Sequence, residues 1–174
     1  MLSIKRTIVL LMMGFVLCGI CFADELKSPL LIRNQEIMIF QPISEIEKKL
    51  GIPDEKKDRV LDIPMHEHRV YTLSYDGIEL SYIENENPTL DKIRISRESK
   101  NYSFMDVVIG ETTMDEVKEL CNKDWVLHKQ KNGIFVIEHY LKEFTHYAQN
   151  VVVSFAFRDE VCSEIVIKND FIMF

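Results

Sequence analysis

The stretch Ile78-Glu79-Leu80-Ser81-Tyr82 recurs further along the chain as Val151-Val152-Val153-Ser154-Phe155. In the same way Ile93-Arg94-Ile95 recurs as Ile165-Val166-Ile167. Alternation of apolar and other residues with a period of two is typical of β-strands that bury one face. The four segments therefore predict β-strands, and their common spacing predicts an internal repeat of about 72 residues.

Helix signals recur at nearly the same distance. Ser44-Glu45-Ile46-Glu47 and Thr113-Met114-Asp115-Glu116 both have the form of a capping box, in which a hydroxyl and a glutamate close the first helical turn. The apolar helix residues and the expected helix ends then correspond at a spacing of 71. The corresponding pairs are Ile46 with Val117, Leu50 with Cys121, and Gly51 with Asn122.

These patterns predict an α+β fold of two tandem repeats, each a short helix packed on an antiparallel sheet of about four strands. The first repeat covers 37–100 and the second covers 101–174, after a loose N-terminal tail at 24–36. Asp76-Gly77 and Asn132-Gly133 are strong signals for two-residue hairpin turns. The expected helices are 44–51 and 113–121; the expected strands are 59–63, 67–75, 78–84, 90–96, 124–130, 134–141, 150–157 and 161–168.

Residues 1–23 resemble a secretory signal peptide: two basic residues at positions 5 and 6, a short apolar run, and a small residue, Ala23, at the end. We expect cleavage after Ala23 and export to the periplasm or the medium, with no stable membrane span in the remaining chain. The apolar run is slightly short for a spanning helix. The alternatives are an uncleaved anchor and a lipid anchor on Cys18 or Cys21.

The charge of the chain argues against nucleic acid as a partner. The formal net charge of −7 becomes −9 when the two basic residues of the signal are removed. An acidic protein without a basic stripe repels a phosphate backbone. Cys121 and Cys162 would remain after cleavage, and both occupy positions that the repeat assigns to buried apolar residues. A disulfide between them and a pair of free, buried thiols are both compatible with an oxidising compartment.

The segments Leu50-Gly51-Ile52-Pro53 and Ile109-Gly110-Glu111-Thr112-Thr113-Met114-Asp115-Glu116-Val117 resemble a motif of secreted bacterial proteins of the β-lactamase-inhibitor-protein type. A similar motif occurs in the small outer-membrane lipoprotein of the barrel-assembly machinery. The resemblance implies two tandem units of one helix and four strands, which together form a concave binding surface. It covers about 40–168 in architecture, but the motif marks helix boundaries and therefore concerns fold more than function.

Common catalytic motifs are missing. The four glycines after position 23 stand alone, so there is no phosphate-binding loop, and no Gly-x-Ser-x-Gly elbow occurs. His66 and His68 are the best metal-ligand candidates, and His128, His139 or His146 would have to complete such a site. Surface histidines beside a hairpin are the simpler interpretation. We therefore assign no catalytic residue, no metal site and no cofactor.

The strand residues opposite the expected core face suggest where a partner protein binds. In the second repeat this set is small and rather apolar, and it consists of Val152, Ser154, Ala156, Val166 and Lys168. Such a face either packs against the other repeat, receives a partner, or faces solvent. Aromatic residues are frequent interface anchors, although most strand aromatics fill cores. The tyrosines on or beside the middle strands are Tyr71, Tyr75, Tyr140 and Tyr147.

The leading hypothesis is an exported, non-catalytic module that binds another protein through its sheet face and hairpin loops. Two alternatives remain open. One is an envelope hydrolase or metal-dependent enzyme that uses the histidines and acids, and the other is a structural envelope protein.

Overall fold

The computed structural model describes residues 30–63, 66–121, 125–130, 133–141 and 151–169. Within these ranges the chain is mostly sheet, with two helices, and it is α+β as expected. The helices are α1 (Ile43–Leu50) and α2 (Met114–Leu120). The strands are β1 (Leu30–Ile32), β2 (Gln35–Ile37), β3 (Glu55–Ile63), β4 (His66–Tyr75), β5 (Ile78–Ile83), β6 (Lys92–Ser96), β7 (Tyr102–Ser103), β8 (Trp125–Lys129), β9 (Phe135–Leu141), β10 (Val151–Arg158) and β11 (Val161–Asn169).

Eight strands form one antiparallel sheet in the order β3-β4-β5-β6-β11-β10-β9-β8. Each half contributes four consecutive strands, and the halves meet where β6 pairs with β11. The expectation of a separate sheet in each half is therefore corrected to one continuous sheet. The apolar alternation continues across this seam, because Ile95 lies opposite Ile165 and Ile93 lies opposite Ile167.

One face of the sheet is apolar and carries the hydrophobic core. A row of directly opposed residues crosses seven strands on this face: Leu73, Leu80, Ile93, Ile167, Val153, His139 and Trp125. The buried residues of both helices, including Ile46 and Val117, belong to the same hydrophobic cluster as this face. Neither helix of the described chain is long and apolar enough to span a bilayer.

A second, three-stranded sheet has the order β2-β1-β7. Residues 30–36, which the sequence predicts as a loose tail, instead form β1 and most of β2. Leu30 and Ile32 are buried in the core cluster, and the burial of their apolar side chains stabilises the segment. The turn at Arg33-Asn34 has positive φ at both residues, with no glycine to mark it in the sequence.

Arg33 links the three-stranded sheet to the eight-stranded sheet through hydrogen bonds. Its guanidinium donates to both carboxylate oxygens of Asp76, at 2.7 and 3.1 Å, and to the carbonyl of Leu50 at 3.1 Å. The hydrogen bonds from Arg33 and Asn101 lower the pKa of Asp76 to about 2. Bidentate pairing of this kind holds the β1–β2 turn, the β4–β5 turn and the end of α1 together. Asp76-Gly77 forms the predicted hairpin turn, with φ values of 51° and 80°.

The start of α1 differs from the prediction. The helix begins at Ile43 after Pro42, and its N-cap has no side-chain hydrogen bond, so the capping box predicted at Ser44 is wrong. Pro42 forms an isolated β-bridge with Thr89, and this long-range pairing sets the start of the helix instead. At the other end Gly51 closes the helix with a φ of 80°, as predicted.

The start of α2 agrees with the prediction. The Thr113 side chain accepts from the backbone N–H of Glu116, and the Glu116 carboxylate accepts from the backbone N–H of Thr113. Both halves of the capping box are therefore present. Asn122, the expected helix end, and Asn132, the first residue of the second expected hairpin turn, lie outside the described residues.

Both helix starts are also tied by backbone hydrogen bonds to the segment that leads into the last strand of their half. The bonds at α1 run from Ile43 N to Pro88 O (3.0 Å) and from Leu90 N to Gln41 O (2.9 Å); those at α2 run from Met114 N to Glu160 O (3.0 Å) and from Cys162 N to Thr112 O (2.8 Å). Each donor and acceptor at α2 lies 71 or 72 residues after its counterpart at α1, which is the spacing of the sequence repeat. Each helix thus begins at a point fixed by a residue three strands further along the chain.

The boundaries of the eight strands in the large sheet follow the sequence closely, with two exceptions, whereas the short strands β1, β2 and β7 were not predicted. β3 begins at Glu55 rather than at 59, and β6 begins at Lys92 rather than at 90. The first four residues of β3 are charged and carry no apolar alternation, so the pattern could not reveal them.

Candidate functional site

The second face of the eight-stranded sheet is the candidate site, and we call it the polar face. Pairing register places directly opposed residues on one face, so the rows that cross this surface can be followed strand by strand. The first row crosses all eight strands: Glu55, Ser74, Glu79, Arg94, Val166, Ser154, Glu138 and Val126. The second row runs beside it: Lys57, Thr72, Ser81, Lys92, Lys168, Val152 and Tyr140.

Arg94 lies at the centre of the polar face and joins its two halves. It donates to Glu79 on β5 at 3.2 Å and to Glu164 on β11 at 2.9 Å. The hydrogen bonds and charges of these carboxylates raise the pKa of Arg94. The three side chains are 32–43% exposed, so solvent reaches the centre of this face. A partner could therefore reach it too.

Lys92 and Lys168 lie directly opposite each other across the seam between β6 and β11. Burial is the main cause that lowers the pKa of Lys92, and the charges of Arg59, Arg94 and Lys168 lower it further. The charge of Glu164 acts in the opposite direction. A cationic region therefore lies beside the central ion pairs.

Two hydroxyl groups lie next to this cationic region. Thr72 and Ser81 face each other on β4 and β5, and their hydroxyl oxygens are 2.9 Å apart. Ser81 in turn lies directly opposite Lys92. In such a pair one hydroxyl donates to the other, and the accepting hydroxyl can donate to a further acceptor.

The small and apolar residues predicted to bind a partner do lie on the polar face. Ser154 and Val166 oppose each other, and Ala156 lies on the same face one pair further along β10. All three are half-buried, whereas Val152 is only 2% exposed. Buried Val152 is not a member of the core cluster, in agreement with its position on the opposite face of the sheet.

Two of the four tyrosines predicted to contact a partner have described side chains, and these two differ in burial. Tyr75 is fully buried in the core, donates to the carbonyl of Gly51 at 3.1 Å, and is therefore excluded as a partner contact in this structure. Burial raises its pKa to about 12. Tyr71 is half-buried, stacks on Tyr82 with ring centroids 5.4 Å apart, and donates to Glu84. The side chain of Tyr140, and Tyr147 altogether, lie outside the described residues.

The histidines are spread over the sheet. His68 is on β4 and His139 is on β9, and four strands separate them. At about 4.8 Å per strand they are roughly 24 Å apart along the sheet. His128 lies 3.2 Å from Glu138 on the polar face, whereas His139 belongs to the apolar face. The side chain of His66 and the whole of His146 lie outside the described residues, and the described part of the chain contains no group of three metal-ligating side chains.

Cys121 and Cys162 are buried, as predicted from their places in the repeat, and both are free thiols in the structure. Burial raises the pKa of Cys121 to about 11 and that of Cys162 to about 12. Thiols held in this way are protonated at neutral pH and are poor nucleophiles.

Sequence reasoning missed four residues that matter on the polar face: Lys57, Arg59, Glu138 and Glu164. Lys57 lies in the part of β3 that precedes the predicted start at 59, and Arg59 is the first residue of the predicted strand. The other two alternate correctly within predicted strands, and that alternation could have identified their face. Their neighbours across the sheet depend on the register of strands that are distant in sequence, which alternation does not contain.

Comparisons with known proteins add little to this description. No protein-family model and no curated protein matches the chain. Among solved structures, a "putative beta-lactamase inhibitor protein" from Streptococcus mutans aligns with 13% sequence identity and a TM-score of 0.26. The alignment covers 74% of this chain and 82% of that chain. A TM-score this low does not establish a common fold.

Proposed function

We propose that this protein is an exported, non-catalytic module that binds another protein through the polar face of its eight-stranded sheet. The observation that carries the proposal is the composition of that face. Small, half-buried residues such as Ser154 and Ala156 adjoin a central group of charged residues around Arg94. A flat area of short side chains lets a partner approach the sheet closely, and the charged residues provide specificity.

Export is the second part of the proposal. It rests on the basic residues, the apolar run and the small residue of positions 1–23, which lie outside the described residues. A protein that acts outside the cytoplasm would meet its partner in the periplasm or in the medium.

We also propose that the fold arose by internal duplication, with one helix and four strands in each half. The equivalent backbone hydrogen bonds at Ile43 and Met114 support this interpretation, as does the four-strand order of each half. Duplication would explain why the polar face is wide, since it joins two sheets edge to edge. Superposition of 37–100 on 101–174 tests it, and it fails if Ile46 and Val117 have non-equivalent neighbours.

Site-specific photo-crosslinking tests the binding role. A benzoylphenylalanine is placed at Ser154 on the polar face, and in a separate variant at Glu45, which is exposed on α1. Both variants are expressed in the native host, irradiated, and analysed by mass spectrometry. We expect a specific protein adduct from position 154 and none from position 45.

The captured protein is then purified, and its affinity for this protein and for the variants is measured by titration. Replacing Ala156 by Arg should abolish binding of the captured protein, because a long charged side chain blocks close approach, whereas Glu45→Arg should leave the affinity unchanged. Equal crosslinking from both positions, or binding that survives Ala156→Arg, would contradict the polar face as the contact surface. The absence of any adduct would favour the alternative of a structural envelope protein.

Zinc titration separates this proposal from the metal-dependent enzyme. Two histidines alone hold zinc weakly, because a site needs at least three protein ligands and partners that orient the imidazoles. We expect no submicromolar binding by calorimetry. Tight binding that disappears when His66 and His68 are both replaced by Ala would support the enzyme alternative.

A further inference from the structure

The eight-stranded sheet has two edges, β3 and β8, and they differ in charge. The first five residues of β3, at 55–59, are all charged. Charged side chains on an edge strand discourage its pairing with another chain. β8 has the sequence Trp125-Val126-Leu127-His128-Lys129, in which Val126 and Leu127 are 48% and 41% exposed. The edge at β3 is therefore protected against strand pairing, whereas the edge at β8 is not.

The backbone of β8 presents donors and acceptors on its outer side. Gln130, which follows the strand, donates from its backbone N–H to the carbonyl of Ile134 at 2.8 Å and so bonds towards β9. In an antiparallel pair alternate residues bond to the same neighbour, so the odd-numbered residues of β8 direct their N–H and C=O groups away from β9. These residues are Trp125, Leu127 and Lys129. Among the described strands none pairs with this side of β8.

The order of residues in β8 is complementary to itself. When two copies of the strand pair antiparallel with Leu127 opposite its own copy, Trp125 lies opposite Lys129 and Val126 lies opposite His128. No two like charges are then directly opposed, and two apolar side chains meet at the centre. The same register lets each outward-directed residue exchange both backbone hydrogen bonds with the residue opposite.

Pairing of β8 with itself also closes the assembly. Pairing of β8 with β3 of another copy would leave one edge of each kind free, and such a contact repeats into an open filament. Pairing of β8 with β8 uses both unprotected edges, so the dimer ends at two charged β3 strands. Leu127 lies opposite fully buried Ile137 on the apolar face, and a second copy would cover the exposed part of its side chain. The seam between β6 and β11 already joins two strands of this chain in the same antiparallel way.

We infer that a second copy of this chain binds edge to edge at β8, in the antiparallel register that places Leu127 on the two-fold axis. The axis of such a dimer is perpendicular to the sheet, so both polar faces lie on the same side of one continuous sheet. The dimer does not depend on the proposed function, because β8 is an edge and the polar face stays uncovered. Where the polar face binds a partner, the dimer presents two such faces and can bind a bivalent partner more tightly.

Sedimentation velocity over a concentration series tests the inference on the purified protein and two variants. Leu127→Lys places two ammonium groups opposite each other at the two-fold axis. Val60→Lys is the matched control, because Val60 is 54% exposed on the protected edge strand β3. We expect a reversible dimer for the unchanged chain, a dissociation constant at least about tenfold higher for Leu127→Lys, and a change within about twofold for Val60→Lys.

Two further measurements separate this dimer from others and from misfolding. Amide hydrogen exchange should slow with rising protein concentration at Trp125, Leu127 and Lys129, whose N–H groups enter the new pairing. Leu127→Glu should weaken the dimer as Leu127→Lys does, and an equimolar mixture of the two variants should form a heterodimer, since opposite charges then meet at the axis. Such a mixed dimer requires both variants to be folded, and circular dichroism during thermal unfolding checks each variant separately.

Four results would overturn the inference. The first is a monomer at every concentration up to the millimolar range, and the second is a dimer that Val60→Lys weakens as much as Leu127→Lys does. The third is a series of oligomers larger than the dimer, which would indicate pairing of β8 with β3. The fourth is the absence of a heterodimer when the two folded variants at position 127 are mixed.

Discussion

Asp91 offers the sharpest test of how charge affects stability in this fold. It precedes β6, and its side chain accepts a hydrogen bond from the backbone N–H of Ile83 at 3.1 Å. Its own backbone joins two other strands, because its N–H donates to Ser81 and its carbonyl accepts from Asn169. Burial raises the pKa of the carboxyl from 3.8 to about 6, although the hydrogen bond from Ile83 acts in the opposite direction.

The sign of the effect on stability follows from this raised pKa. Well below pH 3.8 the carboxyl is protonated in both the folded and the unfolded chain, and it then has no electrostatic effect on stability. As pH rises towards 6 the unfolded chain ionises first, so the free energy of unfolding falls, and above that pH the loss is constant. A shift of about two units corresponds to at most about 3 kcal/mol. Partial contact with solvent reduces our expectation to about 2 kcal/mol.

The perturbation is Asp91→Asn, which keeps an oxygen to accept from Ile83 but carries no charge. Urea unfolding of wild type and variant, followed by circular dichroism between pH 4 and 7.5, gives the difference in free energy of unfolding. We expect Asn to be close to neutral near pH 4 and to stabilise the protein at pH 7 by about 2 kcal/mol, the full cost of the buried charge. The exposed Glu86→Gln on the preceding loop is the control, with a small difference at every pH. A benefit of Asp91→Asn that shrinks or reverses as pH rises would refute the reasoning.

Three further predictions concern single features. Thr113→Ala should cost about 1 kcal/mol in urea unfolding because it removes a formed capping box, whereas Ser44→Ala should cost almost nothing, and equal costs would contradict the assigned helix starts. Cys121 and Cys162 should react with Ellman's reagent only after unfolding, since burial raises the pKa of both thiols, and rapid labelling of the native protein would disprove this. Intact-mass measurement of the exported protein should show a chain that begins after Ala23; another start or a lipid adduct would exclude the proposed cleavage.

Local periodicity predicted most of the regular structure. The alternation around Ile78 and Val151 identified strands because a half-buried strand repeats every two residues. The capping box at Thr113 and the hairpin at Asp76-Gly77 were predictable for a similar reason, since each depends on side chains close to one another in sequence. The burial of Cys121 followed from its position on the apolar side of a helix.

Contacts between distant segments were not predictable in this way. Ser44 has the right neighbours for a capping box, yet α1 starts earlier, because Ile43 bonds to Pro88 and Pro42 pairs with Thr89. Strands β1 and β2 are too short for a periodic signal, and β1 is held by β7, which follows only after the first four strands of the large sheet. Their order comes from pairing and burial rather than from propensity.

The candidate site illustrates the same division. The sequence alone predicted which residues of β10 and β11 point away from the core, including Ser154 and Val166, because alternation needs only the strand itself. Only the tertiary structure decided that β6 pairs with β11 in the register that sets Lys92 against Lys168 and Arg94 beside Glu164. Register between strands so distant in sequence is set by the fit of two apolar faces across the seam, and no local pattern contains that fit.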